Sequence, residues 1–362
     1  MRWSDAWHWA VKRSNVLFFV GGFVFDAITL KRIDSVLDLL FQAVYLLVIT
    51  VLLVWQSREE LGLWTVSPRL AKLWHHNVEA LHFCYGGLLS SYVIFYSKSS
   101  SFSRSSTFLL LVVLLMFANE MPQVKKAGST LRLGLHAFCI GSYLNYLLPV
   151  LLGYMNMFIF FLALSIAGGF SFLVVRLLAG FYVKKGHDRR KIMVRLGWPP
   201  ALVLMLLAIF YVMKWIPPVP LSLQFGGVFH HVEKVGDRYE LSYPKPKWFI
   251  FWRKDSTPFR AAPGDAIFCF VRIFAPTRFS HRVFMDWKMK TPSGYRSTDH
   301  IPLEIAGGRE EGYRGFTAKS RFDTGDWRVD VETDDGRIIG SIPFEVVPET
   351  SLENRQWRQR VM

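Results

Sequence analysis

The sequence predicts an α-helical membrane bundle of about seven transmembrane helices, followed by an all-β, immunoglobulin-like antiparallel sandwich. Three observations lead there. The 362 residues are 51% hydrophobic and 16% aromatic with only 20% charged. Long apolar runs are confined to residues 1–222, and short alternating runs replace them beyond Ser222. That composition excludes a disordered tail and a small disulfide scaffold.

A net charge of +15 would, on a soluble protein, suggest a nucleic-acid or anionic-surface binder. Its distribution argues otherwise. Residues 1–222 hold 21 Lys/Arg against 9 Asp/Glu, whereas 223–362 hold 22 against 19. The basic excess belongs to the hydrophobic half, so no nucleic-acid partner is expected and the partner of this half is the lipid bilayer.

Apolar segments of roughly 17–25 residues, the length that crosses ~30 Å of hydrocarbon, fall at 15–30, 37–56, 77–97, 106–121, 133–153, 157–178 and 199–216. The first follows basic residues as a signal peptide would. No small-x-small cleavage site comes after it, so it reads as a retained helix. With seven crossings, one side collects sixteen basic residues, including the run 184–195, against Lys31, Arg32, Lys98 and Arg104 on the other. The positive-inside rule then puts the N-terminus in the cytoplasm and the C-terminal half outside a bacterial cytoplasmic membrane. Six crossings would move the run 184–195 to the wrong side.

His75, Glu79 and His82 stand at i, i+4 and i+7 on the third segment, hence on one helix face. Glu120 closes the fourth segment and His136 enters the fifth from the same side. Ionisable groups in a membrane are costly unless paired or hydrated, so these five form the candidate divalent-metal or proton cluster. The alternative is polar packing. Gly86-x-x-x-Ser90, Gly87-x-x-x-Ser91, Ala137-x-x-x-Gly141 and Ser165-x-x-x-Gly169 have small-residue spacing for close helix contacts, and Asn145 and Asn156 suit interhelical hydrogen bonds. Asp26, Asp34 and Asp38 beside Lys31 and Arg32 read as local ion pairs.

Residues 223–350 read as one extracytoplasmic β-sandwich domain and 351–362 as a basic tail. Eight or nine strands are expected, including Ala266–Phe274, Val283–Met289, Gly312–Lys319 and Trp327–Thr333. Trp327, Val329 and Val331 alternate with Arg328, Asp330 and Glu332, and Asp334-Asp335-Gly336 then turns the chain into Ile338–Val346 as a closing hairpin. Cys269 is the domain's lone cysteine, so no disulfide forms within it. The run Gly307-Gly-Arg-Glu-Glu-Gly312 lacks the helix and Lys-Ser/Thr of a phosphate loop and reads as a turn. His230, His231 and His281 have no diagnostic metal spacing.

The stretch Ala306-Gly-Gly-Arg-Glu-Glu-Gly-Tyr-Arg-Gly-Phe-Thr-Ala-Lys319, with Gly325-Asp-Trp-Arg-Val-Asp-Val331 and Gly336-Arg-Ile-Ile-Gly-Ser-Ile-Pro-Phe-Glu-Val346, resembles the C-terminal module called domain of unknown function 2914. Ile216-Pro-Pro-Val-Pro-Leu-Ser222, Pro263-Gly-Asp265 and Phe274-Ala-Pro-Thr277 are similar to that family too, so the resemblance covers about 217–347. It implies a β module behind a helical membrane bundle and no particular activity. One departure is Met285-Asp-Trp287, where the resemblance implies a His before the Trp.

Tyr243-Pro-Lys-Pro-Lys-Trp-Phe-Ile-Phe-Trp-Arg253 interleaves aromatics with cations, which suits an interfacial belt, a glycan-stacking face or a partner strand. Tyr243, Trp248, Phe249, Trp252, Arg309, Tyr313 and Arg314 are the candidate ligand or partner face. The expected function is binding of an envelope protein or glycan by the outer module, with the bundle as anchor or signal-passing scaffold. No catalytic residue and no cofactor is expected on this reading, and a homo-oligomer stays open. The competing expectation is a transporter or metal- or proton-dependent membrane enzyme built on the Glu/His cluster.

Overall fold

The computed structural model describes residues 14–30, 32–100, 102–125, 128–245, 255–276, 279–306, 312–349 and 356–362. It divides into two compact units. One comprises Met1–Ser97, Ser105–Leu151 and Met155–Ile216; the other comprises Pro217–Met362 with Lys98–Arg104 and Leu152–Tyr154.

The helical unit contains α1 (Ser14–Thr29), α2 (Val36–Glu60), α3 (Ala71–Trp74), α4 (Asn77–Lys98), α5 (Phe102–Glu120), α6 (Pro122–Lys125), α7 (Ser129–Leu152), α8 (Met157–Lys184) and α9 (Arg189–Val212). Five of them, α2, α4, α7, α8 and α9, are long and apolar enough to cross a membrane. Helices α1 and α5, of 16 and 19 residues, cover the other two expected segments and are not among these five. The Ser35, Asn156 and Asp188 side chains accept from backbone N–H groups to cap α2, α8 and α9. Asn156 is therefore a cap rather than an interhelical partner. Helix α9 begins ten residues before Pro199, because Asp188 supplies its cap and Gly134 makes room for the proline, a Cβ at Gly134 falling 3.2 Å from Pro199 Cβ.

A seven-residue repeat joins α4 to α7. Tyr85 and Tyr92 each donate a 2.8 Å hydrogen bond to an α7 carbonyl, of Arg132 and Cys139 respectively. Both partners rise together along the chain, so the two helices run parallel. Leu39, Thr50 and Gln56 of α2 meet Tyr143, His136 and Arg132 of α7 in reverse order, so that pair is antiparallel. Gly141 of α7 packs on Leu164 of α8 and on Leu204 and Leu207 of α9. With His136 beside Phe170 and Gly134 beside Pro199, α8 opposes α7 and α9 follows it.

Helix α4 holds the most polar of the five apolar segments and is also the most buried, with α7 next. A helix surrounded by protein can carry hydroxyls and imidazoles that a lipid-facing helix cannot. Gly87 makes this packing close, since a Cβ there would lie 2.8 Å from the Tyr45 ring. Ser165 and Gly169 point outward instead.

The second unit is all β, with β1 (Ser222–Phe229), β2 (His231–Val235), β3 (Arg238–Pro244), β4 (Phe259–Ala261), β5 (Ile267–Phe274), β6 (Ser280–Thr291), β7 (Gly294–Ala306), β8 (Tyr313–Lys319), β9 (Gly325–Thr333), β10 (Ile338–Pro348) and β11 (Trp357–Val361). Three sheets have orders β1-β5-β8, β4-β10-β9-β6-β7 and β11-β3-β2. The first two face each other. Trp287 of β6 donates a 3.0 Å hydrogen bond to Thr317 of β8, and a Cβ on Gly226 of β1 would sit 2.6 Å from Ile342 of β10. The β1-β5-β8 sheet is also covered on its other face, where Phe270 joins Phe229, Val232, Leu241 and Tyr243 in a separate core. Strand β5 is consequently buried on both faces, and its near-continuous apolar run follows from that.

Two expectations are corrected. The sandwich is not wholly antiparallel, because β4 pairs with β10 in parallel. Nor is 351–362 simply a tail: residues 351–355 lie outside the described residues, but β11 pairs with β3, and Tyr239 and Met362 exchange two 2.9 Å backbone hydrogen bonds. Register could not be anticipated there, since the Arg360 guanidinium enters the fold by lying 4.5 Å over the Phe225 ring.

Substituting Gly226→Ala forces a methyl against Ile342 and is expected to destabilise the β unit by about 1–3 kcal/mol. Thermal unfolding of the detergent-solubilised full chain would read this, and an unchanged β transition would contradict the close approach of β1 and β10.

Candidate functional site

The five-stranded sheet has one face on the core and one turned away from it. Alternation sends Met285, Trp287, Trp327, Val329 and Val331 inward and Asp286, Lys288, Arg328 and Asp330 outward. The register sets Asp286 opposite Asp330, Lys288 opposite Arg328 and Ser341 opposite Asp330. Two carboxylates directly across from one another repel unless a cation lies between them.

Lys288 is that cation. Its ammonium lies 2.9 Å from Asp286 and 2.8 Å from Asp330. Asp330, wholly buried, also accepts from Ser341 at 2.6 Å and lies 3.0 Å from Arg328 Nε, while Ser297 of β7 donates to Asp286. Arg328 in turn covers the Tyr295 ring at 4.3 Å. At one end of the face Lys290 pairs with Asp326 at 2.9 Å. At the other His300 stacks on Phe284 and reaches Glu332 at 3.0 Å.

Burial by itself would push the Lys288 ammonium down, but the hydrogen bonds to Asp330 and Asp286 outweigh it and hold the group above the usual lysine range. Lys290 is raised by Asp326, and Lys319 holds Asp299 below the usual carboxylate range. The result is a polar sheet face whose charges are mutually neutralised, with Asp286, Lys288 and Asp330 largely buried and Lys290, Asp326 and His300 exposed. Cys269 is wholly buried, and burial pushes its thiol up.

In the helical unit the expected Glu/His cluster divides. His82 Nδ1 meets Asn119 Oδ1 at 2.7 Å, and the Asn119 amide returns a hydrogen bond to the His82 carbonyl. Glu120 pairs instead with Lys125 at 2.9 Å. His136 is buried elsewhere, 3.0 Å from Thr50 and beside Phe170. His75 and Glu79 are exposed, the former against His76. Helical spacing placed these groups at one end of the bundle; it did not fix which neighbour each one faces. Among the described residues no group of three His, Cys, Asp or Glu is placed to hold a metal.

What assembles at this end is a hydrogen-bonded clamp. Arg132 of α7 donates to Gln56 of α2 at 2.8 Å and to the Lys125 carbonyl at 3.1 Å, and Gln56 donates to Asn77 of α4 at 2.6 Å. Trp74 donates to Glu59 at 2.6 Å.

The expected ligand face is likewise not one surface. Tyr243 belongs to the core beneath the β11-β3-β2 sheet, while Tyr313 and Arg314 adjoin on β8, opposite Ile273 and Arg272. Trp248, Phe249, Trp252 and Arg309 lie outside the described residues. Gly312 has a positive φ of 82°, as a turn before β8 requires. His230 hydrogen-bonds Ser256 and the Arg260 carbonyl and stacks on Phe259, a structural tie. The polar residues of β6 and β9 were visible as the outward half of an alternating pattern, but only the strand register brings Asp286, Lys288 and Asp330 together.

The class defined so far is a helical unit with five apolar, membrane-length helices joined to an all-β C-terminal unit. Its C-terminal region matches a family model, that of the protein of unknown function DUF2914, over residues 280–346. The match is consistent with a C-terminal module of that family and takes in β6 to β9 and most of β10. No curated protein matches the chain. Among solved structures, the Pseudomonas fluorescens alkylpurine DNA glycosylase AlkC bound to DNA containing an abasic site analog aligns over 78% of this chain and 82% of that one. The identity is 9% and the TM-score 0.19, so the alignment carries no statement about fold or function.

Replacing Lys288 by Met strands two buried carboxylates and is expected to cost about 3–5 kcal/mol. Because the Lys288 pKa is raised on folding, its contribution is fully present below the unfolded value of ~10.4 and is lost as pH rises through the folded one. Denaturant unfolding against pH should show that alkaline loss in the parent chain and a smaller one in Lys288→Met, where the raised Lys290 remains. For the helical unit, His82→Ala and Asn119→Ala should show a coupling of about 0.5–1.5 kcal/mol in a double-mutant cycle on the solubilised chain. Strict additivity would contradict the pairing.

Proposed function

We propose that the chain is an integral protein of a bacterial cytoplasmic membrane that crosses it seven times, with its N-terminus in the cytoplasm. Its two facing sheets form an immunoglobulin-like module outside that binds an envelope protein. The helical bundle anchors the module and passes its engagement on. The alternating directions of α2, α4, α7, α8 and α9 support this count, as does α5, which opposes α4 because His82 meets Asn119 and Tyr96 meets Phe108, with α1 taken as the first span. The bundle end that carries Arg58, Lys125, Arg132, Lys184 and Arg189 is the cytoplasmic one by the positive-inside rule.

The carrying observation is the outward face of the five-stranded sheet, where carboxylates and cations alternate in fixed positions across β9, β6 and β7. Such a surface discriminates among partners through its exposed Lys290, Asp326 and His300, because a partner that covers these groups without matching them desolvates their charge pairs uncompensated. A protein fits better than a glycan. Glycan stacking needs open aromatic faces, whereas on this sheet face His300 covers Phe284 and Arg328 covers a face of Tyr295. The five Glu/His groups, facing separate neighbours, give no support to a metal or proton enzyme.

A photo-crosslinking side chain at Ser297 or Tyr295 of the full chain in cells should yield a discrete protein adduct that the same group at Val235 does not. Lys290→Glu should lower its yield severalfold. Equal labelling from Val235, or an adduct with cell-wall glycan in place of protein, would overturn this reading.

A further inference from the structure

Helices α8 and α9 form an antiparallel hairpin whose basic end opens into a groove of ≈ 640 Å³, lined by Leu173, Arg176, Leu177, Phe181, Lys184 and Arg189 among others. Its two halves differ in chemistry. Leu173 and Leu177 are 61% and 48% exposed and continue the bare apolar surface of α8, on which Ile166, Phe170 and Phe172 are also exposed. Arg176, Lys184 and Arg189 supply cations and are all exposed. Gly180 stands between them with no atom within 4 Å of an added Cβ, which keeps the groove open.

Arg176 is the informative residue. It lies two turns, about 12 Å, inside the end of an otherwise apolar helix, and it is exposed. A guanidinium on a lipid-facing surface is costly unless it reaches the headgroup layer or meets an anion. Among the described residues, Arg176, Lys184 and Arg189 have no carboxylate within ion-pair distance. The nearby Asp188 is engaged in capping α9 through the Lys191 N–H at 2.8 Å. A fourth cation borders the site, since Arg58 of α2 lies 5.8 Å from the Phe181 ring.

We infer that this groove is a binding site for one anionic phospholipid, whose phosphate is held by Arg176, Lys184 and Arg189 while an acyl chain runs along Leu173 and Leu177. A free phosphate would satisfy the cations alone; the apolar wall running on from them into the exposed face of α8 is what selects a lipid. The site is built entirely within the helical unit and is independent of any partner of the β module.

The test is native mass spectrometry of the detergent-purified full chain titrated with phosphatidylglycerol or with phosphatidylcholine of the same acyl chains. Phosphatidylglycerol should be retained preferentially. Arg176→Gln and Lys184→Gln should each weaken retention about fivefold, Arg176→Lys should hold it within about twofold, and Lys72→Gln, an exposed cation on the same end outside the groove, should leave it unchanged. Unfolding temperatures of the variants, all at exposed positions, report whether each is folded. Equal retention of the two lipids, full retention by the folded Arg176→Gln/Lys184→Gln pair, or complete displacement by millimolar inorganic phosphate would overturn the inference.

Discussion

The constraint on which both units depend is that a polar group taken out of water must find its partner inside the protein. Asp330 shows it most sharply. It is wholly buried on a sheet face that is otherwise polar, and an unpaired carboxylate there would be intolerable. The Lys288 ammonium and the Ser341 hydroxyl compensate it, and in doing so they tie β10, β9 and β6 to one register. A slip of one residue would break the pairings and turn the Trp287 and Trp327 rings outward.

The same constraint organises the helices. Tyr85 and Tyr92 carry hydroxyls into the most buried helix, and each finds a backbone carbonyl one heptad apart on α7. Those carbonyls already accept within their own helix, so the tyrosines use a second lone pair and cost the ladder nothing. Arg132, Gln56 and Asn77 do likewise with side chains from three helices. The polarity of α4 is thus the mark of a central helix.

Much of this was legible beforehand because it follows from periodicity and transfer energy. Apolar length located the helices, and the alternation Trp327-Arg-Val-Asp-Val331 located the hairpin of β9 and β10. Two things were not legible, for one reason: they depend on which elements meet. Helix spacing put Glu79 and His82 on one face, but the rotation of α4 against α5 gives His82 to Asn119 and leaves Glu79 in the open. Likewise the composition of 355–360 marks a basic tail, and only pairing with β3 makes a strand of it. The aromatic Tyr243 was similarly ambiguous, since a pleated strand offers one face to a core and one to a ligand, and local sequence does not say which.

Charge carries different meanings in the two units because its surroundings differ. On the β9-β6-β7 face every cation has a carboxylate within reach, so lysines there are raised and the surface is electrically quiet at long range. In residues 1–222 the 21 basic residues outnumber 9 acidic ones, and the excess cannot be neutralised from within. Opposite charge must then come from outside the chain, and at a helix end flanked by bare leucine and phenylalanine the bilayer itself is the nearest source. Where the cations stand at a loop, the headgroup layer suffices. Where one stands two turns up an apolar helix, as Arg176 does, it must either reach back to that layer or hold an anion of its own, and the depth of that arginine is what sets it apart from the loop cations.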